Sequence, residues 1–310
     1  MGPPACPSTE EQVNPHVTRS RDLAPHELRI LVAVADEGGF GAAAATLGLT
    51  QSAVSHSVRG SESKLGAVLF ERGRTGARAT AAGARVVGHA RRVLRLLALM
   101  AEEARTGPDE IRGPLRIAAF RSAALHLLPP ALTALAARHP DLEPEVRVVR
   151  DIGAGTPGEV AAGRADLAIA TLGGSTALPA GLVSGALVEE KYALVHPAAH
   201  PEPRTLPLVD WTENCGSYTR DWWAAQDWIP RATVRAEDDG TVLSMVGTGL
   251  GMAIMPDLAL RGGVPDGVRI TDLGPDRPVR SVGYVTTAEL ARTAPVRALI
   301  RELRVLSRDG

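Results

Sequence analysis

Apolar residues recur at Leu28, Leu31, Val32 and Ala35 within the stretch Leu23 to Asp36. That three-to-four spacing predicts one face of a helix. Gly38-Gly39 closes it, and Phe40 opens a second helix, Gly41 to Leu47, made almost wholly of alanine. Gly48 marks a turn, and Leu49 is expected to pack into the core. Thr50 is placed to cap a third helix, Gln51 to about Leu65, by accepting a free backbone N–H. Ala53, Val54 and Val58 form its expected buried face. Val68 to Arg72 then reads as a short strand, Gly73 to Gly76 as a turn and Ala77 to Ala79 as the returning strand, together a small wing. Thr80 is the expected cap of a long helix from Ala81 to about Arg105. Its apolar stripe comprises Val86, Val87, Ala90, Val93, Leu94, Leu97 and Met100, with Arg85, Arg91, Arg92 and Arg95 on the other side. Such a stripe needs cover, and a second copy of the same helix is the economical partner. Val86, Val87, Val93, Leu94 and Leu97 are therefore the candidate dimerisation residues.

From Gly113 the pattern changes to strands alternating with helices. Strands are expected at Leu115–Ala119, Pro144–Val149, Ala165–Ala170 and Tyr192–His196. Helices are expected at Leu127–Arg138, Thr156–Ala162 and Ala294–Leu306. This order predicts an α/β domain with mostly parallel strands, binding ligands in a crevice at the strands' carboxyl ends. Thr106 to Asp109 reads as a linker. Residues 1–22 are rich in Pro, Glu, Thr and Ser, without an apolar export core, and are expected to be a disordered tail.

Charge sharpens this division. The 310 residues carry a net charge of −1, yet Arg19 to Arg95 holds twelve basic against six acidic residues. A basic head on an acidic body predicts that only the head meets phosphate. Lys64 and Lys191 are the two lysines; the other basic residues are arginine, a bias that points to a GC-rich bacterial genome and weakens the weight of any single arginine. Cys6 and Cys215 make neither a disulfide framework nor a metal cluster, and no apolar run is long enough to span a membrane. A cytoplasmic protein is expected. His196 and His200 have a zinc-like spacing, but Pro197 and Pro201 interrupt any helix there, so a plain loop after a strand is expected.

The third helix carries the chemistry of the head. Gln51, Ser52, Ser55, His56 and Arg59 are short or hydrogen-bonding residues on its expected exposed side. Gln pairs bidentately with adenine and Arg with guanine in a major groove. Thr50 belongs to the same candidate set as the cap. Arg72, Arg74 and Arg78 on the wing are candidates for phosphate or minor-groove contact.

These residues resemble the LysR-type transcriptional regulators, over roughly residues 23–310. The likeness rests on Gly39-Phe40, Ala42 to Ala45, Gln51 to Val58, Leu65-Gly66, Leu69 to Arg72 and Thr80 to Gly83 in the head. In the body it rests on Gly113 to Ile117, His139-Pro140, Gly163 to Ile169, Gly249 to Met252 and Met255-Pro256. The resemblance implies a winged helix-turn-helix over 23–82, a dimerising linker helix over 83–106 and a two-lobed effector domain over 113–310, similar to type II periplasmic binding proteins. One lobe would comprise 113–189 and 279–310, the other 190–278. It further implies a homodimer or homotetramer that binds double-stranded promoter DNA, answers a small-molecule co-inducer and contacts RNA polymerase. No cofactor, metal, membrane or enzymatic activity is expected. Phe120, Arg121, Ser122, Thr171, Cys215, Tyr218 and Thr241 are the candidate effector contacts, with Ser122 placed to hold a carboxylate.

Two alternatives stand beside this reading. One is a redox-responsive regulator using Cys215, which lies in the loop where peroxide-sensing relatives carry a reactive cysteine. The other is a solute-binding protein without a regulatory role, which leaves residues 39–83 unexplained. Trp222, Trp223 and Trp228 are expected to pack in the core or between subunits. One departure from the family pattern is Gly60-Ser61, where a polar residue and a buried leucine are usual. A helical glycine costs about 1 kcal/mol, and a lost buried leucine roughly 2–5 kcal/mol. The third helix is therefore expected to end early or to be softer than in its relatives.

Overall fold

The computed structural model describes residues 22–73, 76–105, 110–173, 178–212 and 217–307. The chain divides into two compact units, residues 1–83 and 84–310.

In the first unit, α1 (Pro25–Glu37), α2 (Phe40–Leu47) and α3 (Gln51–Leu65) precede a hairpin of β1 (Phe70–Gly73) and β2 (Gly76–Ala79). Gly38, Gly48 and Gly66 end the three helices in the left-handed conformation that glycine adopts without strain. Leu31, Val34, Val54, Val58 and Leu69 form the centre of its core. Two expectations fail here: Leu49 and Ala53 are exposed, because the tight turn at Gly48 points Leu49 outward and Ala53 falls on the solvent side of α3. The expected early end of α3 also fails. The helix continues through Gly60-Ser61 to Leu65. Ser61 is fully buried, and its hydroxyl donates to the Ser57 carbonyl one turn back at 3.0 Å. The small buried side chain is thus satisfied inside its own helix. Two further ties seat α3. The Glu62 carboxylate accepts from the Leu69 and Phe70 N–H groups at 2.7 and 3.2 Å. Lys64 pairs with the buried Glu27 of α1 at 2.7 Å.

The second unit holds most of the long helix α4 (Ala81–Glu103), whose first turn is capped by Thr80 accepting from Gly83 N–H at 2.9 Å. There follow β3 (Gly113–Ala119), α5 (Arg121–His126), α6 (Leu128–Arg138), β4 (Leu142–Val148), α7 (Gly155–Ala161), β5 (Leu167–Leu172) and β6 (Leu182–Pro197). Then come β7 (Leu208–Trp211), α8 (Ser217–Ala224), β8 (Ala232–Ala236), α9 (Asp239–Gly247), β9 (Ala253–Pro256) and α10 (Asp257–Leu260). Last are β10 (Val268–Asp272), β11 (Val279–Thr287) and α11 (Ala294–Leu306). The principal sheet runs β10-β6-β11-β5-β3-β4, with β9 also on β6.

Alternation along the strands builds a core on each face of the sheet. Leu115, Ile117, Leu167 and Ile169 point to a layer with α6 and α11, whereas Ala118, Ala168 and Ala170 point to α7 through Val160. Farther along, Ala193, Val195, Ala253 and Met255 face one cluster, and Tyr192, Leu194, Met252 and Ile254 face another. Trp222, Trp223 and Trp228 pack on the latter, within the chain itself.

The strands are α/β as expected but not mostly parallel. β3 is parallel to β4 and β5, yet β11 is antiparallel to both β5 and β6, and β9 and β10 are antiparallel to β6. The cause is β6. It is far longer than the expected Tyr192–His196, pairing with β11 through Lys191 and with β9 and β10 beyond it. His196 lies in this strand, as its place in the expected Tyr192–His196 segment implies. It is buried and hydrogen-bonded to Pro197 O and Thr271 Oγ1, both at 2.9 Å. Among the described residues no cluster of metal-ligating groups occurs.

The α4 helix corrects another expectation. Part of its stripe is covered by its own chain: Val87, Ala90 and Leu99 are buried, and Leu99 joins the core of β3 and β5. Val87 is therefore not free to meet a second copy. Val86, Leu94 and Leu97 are half-buried, while Val93, Leu96 and Met100 remain exposed. Arg95, expected on the polar side, is buried against Asp166.

Candidate nucleic-acid interface and effector cleft

On α3, Gln51, Ser52, Ala53, Ser55, His56 and Arg59 line one open depression. Five of the six sequence-predicted helix residues therefore share a face. Thr50 is the cap rather than a lining residue: its hydroxyl accepts from Ala53 N–H at 3.2 Å and shares a hydrogen bond with Ser52 at 3.0 Å. Ser55 is a junction. Arg59 and Arg72 both donate to its hydroxyl, at 3.4 and 3.0 Å. Arg72 also lies 4.3 Å over the Phe40 ring, which meets Phe70 edge-on. The wing arginine is thus drawn onto α3, held by a cation–π contact that the linear sequence does not show. Arg78 is exposed on β2. Arg74 lies outside the described residues.

Burial alone would raise the Glu27 carboxyl, but the Lys64 hydrogen bond and charge and the Ala24 N–H hold it below the ordinary range. This pair of half-buried Lys64 and buried Glu27 anchors the C-terminal end of α3.

In the second unit, Phe120, Arg121 and Ser122 follow β3 and enclose a cavity with Asp151, Trp211, Asp239, Pro256 and Arg280. Its free space is about 20 Å³, roughly the room of one water. Arg121 crosses it to Asp239 at 2.5 Å. A Cβ on Gly240 would stand 2.5 Å from the Arg121 guanidinium, so the glycine clears the path of this ion pair. Arg280 pairs with the buried Glu190, and its guanidinium lies 5.0 Å over the Phe120 ring. Burial works against the Arg280 charge, but Tyr192 and Glu190 hold its pKa above the ordinary value.

Of the predicted effector contacts, Phe120, Arg121 and Ser122 come together. Thr171 does not line the cavity; its hydroxyl donates to Asp151 at 2.8 Å and so positions a residue that does. Thr241 serves the helix instead: its N–H and hydroxyl bond Asp238, the cap of α9, at 2.9 and 3.1 Å. Burial would raise the Asp238 carboxyl, but these bonds and Arg121 hold it down. Cys215 lies outside the described residues, as does the Tyr218 side chain. Asp151, Trp211 and Arg280 escaped the sequence reading because each reaches the cavity from a different element, with no local motif around it.

Immediately before β5, Asp166 is wholly buried. It receives Arg95 at 3.0 Å, Arg116 at 2.8 Å and the Arg116 backbone N–H at 3.0 Å. Gly163 has φ +70°, and a Cβ there would stand 2.8 Å from Arg91 Cβ. The glycine lets α4 lie directly on the turn before β5.

A family model described as the bacterial regulatory helix-turn-helix protein, lysR family, matches residues 25–84, and the LysR substrate binding domain matches 108–307. The chain belongs to the LysR family. This LysR-family chain is a DNA-binding transcriptional regulator with an effector-binding domain and not an enzyme. The helix-turn-helix match removes the reading as a solute-binding protein without a regulatory role. The chain is 35% identical over 243 residues to the probable HTH-type transcriptional regulator LrrA of Synechococcus elongatus, covering 75% of this chain and 81% of that one. Full-length CbnR in complex with its target DNA is 20% identical with a TM-score of 0.62, over 92% of this chain and 100% of that one. Full-length LysG of Corynebacterium glutamicum with the bound effector Arg is 20% identical with a TM-score of 0.66, over 93% and 99% of the two chains. At that identity the two structures establish a shared fold. No described helix is long and apolar enough to cross a membrane.

Proposed function

We propose that α3 enters the major groove of double-stranded promoter DNA and reads it through Gln51, Ser52, Ser55, His56 and Arg59. The observation that carries this reading is their convergence on one open face of a firmly seated helix. Arg78, Arg72 and Arg74 on the wing would follow the phosphates, with Arg72 oriented by Ser55 and Phe40. The cavity between Arg121 and Asp239 is the effector site, and a small-molecule co-inducer entering it modulates promoter binding. The separate cores on the two halves of β6 support lobes of 113–189 with 279–310 and of 190–278. The exposed Val93, Leu96 and Met100, with the half-buried Val86, Leu94 and Leu97, form the face that meets a second copy in a homodimer or homotetramer. Contact with RNA polymerase follows from the regulator's place beside a promoter.

Fluorescence anisotropy with DNA flanking its own gene tests the reading. Affinity is expected to fall linearly with salt on logarithmic axes, and Arg78→Ala to reduce that slope by about 1. Equal affinity for flanking and scrambled DNA would overturn sequence-specific reading by α3.

A further inference from the structure

Ser52 and Ser55 are two hydroxyls on one face of α3, and their surroundings differ. Ser52 shares a hydrogen bond with the Thr50 hydroxyl at 3.0 Å, and either oxygen can donate. It keeps the two-way character that makes serine a weakly selective reader of bases. Ser55 instead receives Arg72 Nη2 at 3.0 Å and Arg59 Nη2 at 3.4 Å. A guanidinium has donors and no acceptor, so neither bond can reverse. A hydroxyl carries two lone pairs and one proton. With both lone pairs turned to arginine, the proton is what Ser55 has left to offer.

Serine within a helix often spends that proton on the carbonyl one turn back. Ser61 does so with Ser57, and Ser244 with Gly240. Among the described residues, Ser55 bonds only the two arginines, and its side chain lines the open depression beside Gln51, His56 and Arg59. The fold of the head holds Arg72 in this position. The guanidinium lies 4.3 Å over the ring of the buried Phe40, which Phe70 meets edge-on at 6.3 Å. The hairpin behind Arg72 is tied to the helices as well. Ala77, the partner of Arg72 across the hairpin, donates its N–H to the Gly38 carbonyl at 2.7 Å.

We propose that Ser55 reads DNA as an obligate hydrogen-bond donor, and that Arg72 is the positioning residue that sets this role. The inference rests on the reading of α3 as the helix in the major groove. Guanine offers two acceptors there, N7 and O6; thymine offers O4 and adenine N7. Cytosine presents only the donor at its N4 amino group. Cytosine beside Ser55 sets two donors against each other with no acceptor between them, which is costly once water is excluded. The base that meets Ser55 is therefore guanine, thymine or adenine, and not cytosine.

Selection of duplexes from a random library by the full chain tests this. Wild type, Ser55→Ala, Arg72→Met and Gln51→Ala are compared, each variant checked for an unchanged melting temperature. The wild type is expected to select a motif with one position that excludes cytosine, and Ser55→Ala to lose that exclusion. In fluorescence anisotropy, cytosine placed there is expected to weaken wild-type binding by about three- to tenfold and binding by Ser55→Ala hardly at all. Arg72→Met returns a lone pair to Ser55, so it is expected to tolerate cytosine at that position and keep its other preferences. An exclusion that persists in Arg72→Met, with all sequences weakened equally, overturns the proposal. Cytosine selected at the Ser55-dependent position does the same. So does a motif that Gln51→Ala alters and Ser55→Ala leaves intact; α3 remains the reader in all three cases. No selected motif, or one that neither substitution alters, overturns the reading by α3 as well.

Discussion

The DNA-binding head and the effector body solve the problem of positioning side chains in opposite ways. In the head, the residues proposed to read DNA occupy successive turns of one helix, and the rest of the unit seats that helix through short-range caps, three glycine ends and a few ties. In the body, each functional contact joins distant parts of the chain. Arg95 and Asp166 are 71 residues apart, Arg280 and Glu190 90 apart, and Arg121 and Asp239 118 apart. The head is therefore built to present a fixed surface. The body is built around charge pairs whose making and breaking is tied to its tertiary arrangement.

The contrast can be broken most directly at Asp166. Asp166→Ala leaves the buried Arg95 without its partner, and is expected to destabilise the body by about 3–5 kcal/mol. Urea unfolding of the full chain measures this, and hydrogen exchange should rise along α4 but not α3. A loss below about 1 kcal/mol would mean that the network behaves like a surface pair. Arg59→Ala probes the head's reading surface. It is expected to lower operator affinity by about 1–3 kcal/mol, with protein stability unchanged. Unchanged affinity across a salt series would remove Arg59 from the interface.

A smaller effect in the head is read by pH. The Glu27 carboxyl is held below its ordinary value of 4.5 in the folded head. A depressed carboxylate gives stability that is fully present above the unfolded value and lost as pH falls through the folded one. Hydrogen exchange in α1 and the end of α3 is therefore expected to quicken below about pH 4.5, and Lys64→Met to flatten that dependence. The smallest expected change is a gain. A Cβ on Gly60 would meet nothing within 4 Å, so Gly60→Ala should stabilise α3 by about 0.5–1 kcal/mol. A loss of stability instead would show that the glycine is needed for a close approach.

The sequence reading reached the head almost completely. Its helix ends, wing and exposed residues follow from local periodicity and capping, which act within a few residues. Leu49 and Ala53 were misplaced because periodicity defines a face only to within part of a turn. Gly60-Ser61 was judged by the absent leucine, whereas the buried serine closes its own hydrogen bond inside the helix. In the body, Phe120 to Ser122 were legible as a strand end. Arg95 was assigned to solvent because arginine on a helix is usually solvated, and nothing near it in sequence announces Asp166. The parallel sheet was overestimated because a long strand that pairs with different neighbours along its length looks, in sequence, like a short one.

By itself the sequence determined the family, the α/β class, the winged head and the residues on the open face of α3, because each depends on patterns repeated over a few neighbouring positions. Only the tertiary structure decided that α4 is clamped to its own body, that β6 ties two cores together, and that Arg121, Asp151, Asp239 and Arg280 share one cavity. Those outcomes depend on long-range strand pairing and buried charge, where the energy of a residue is set by partners that the linear chain keeps far apart.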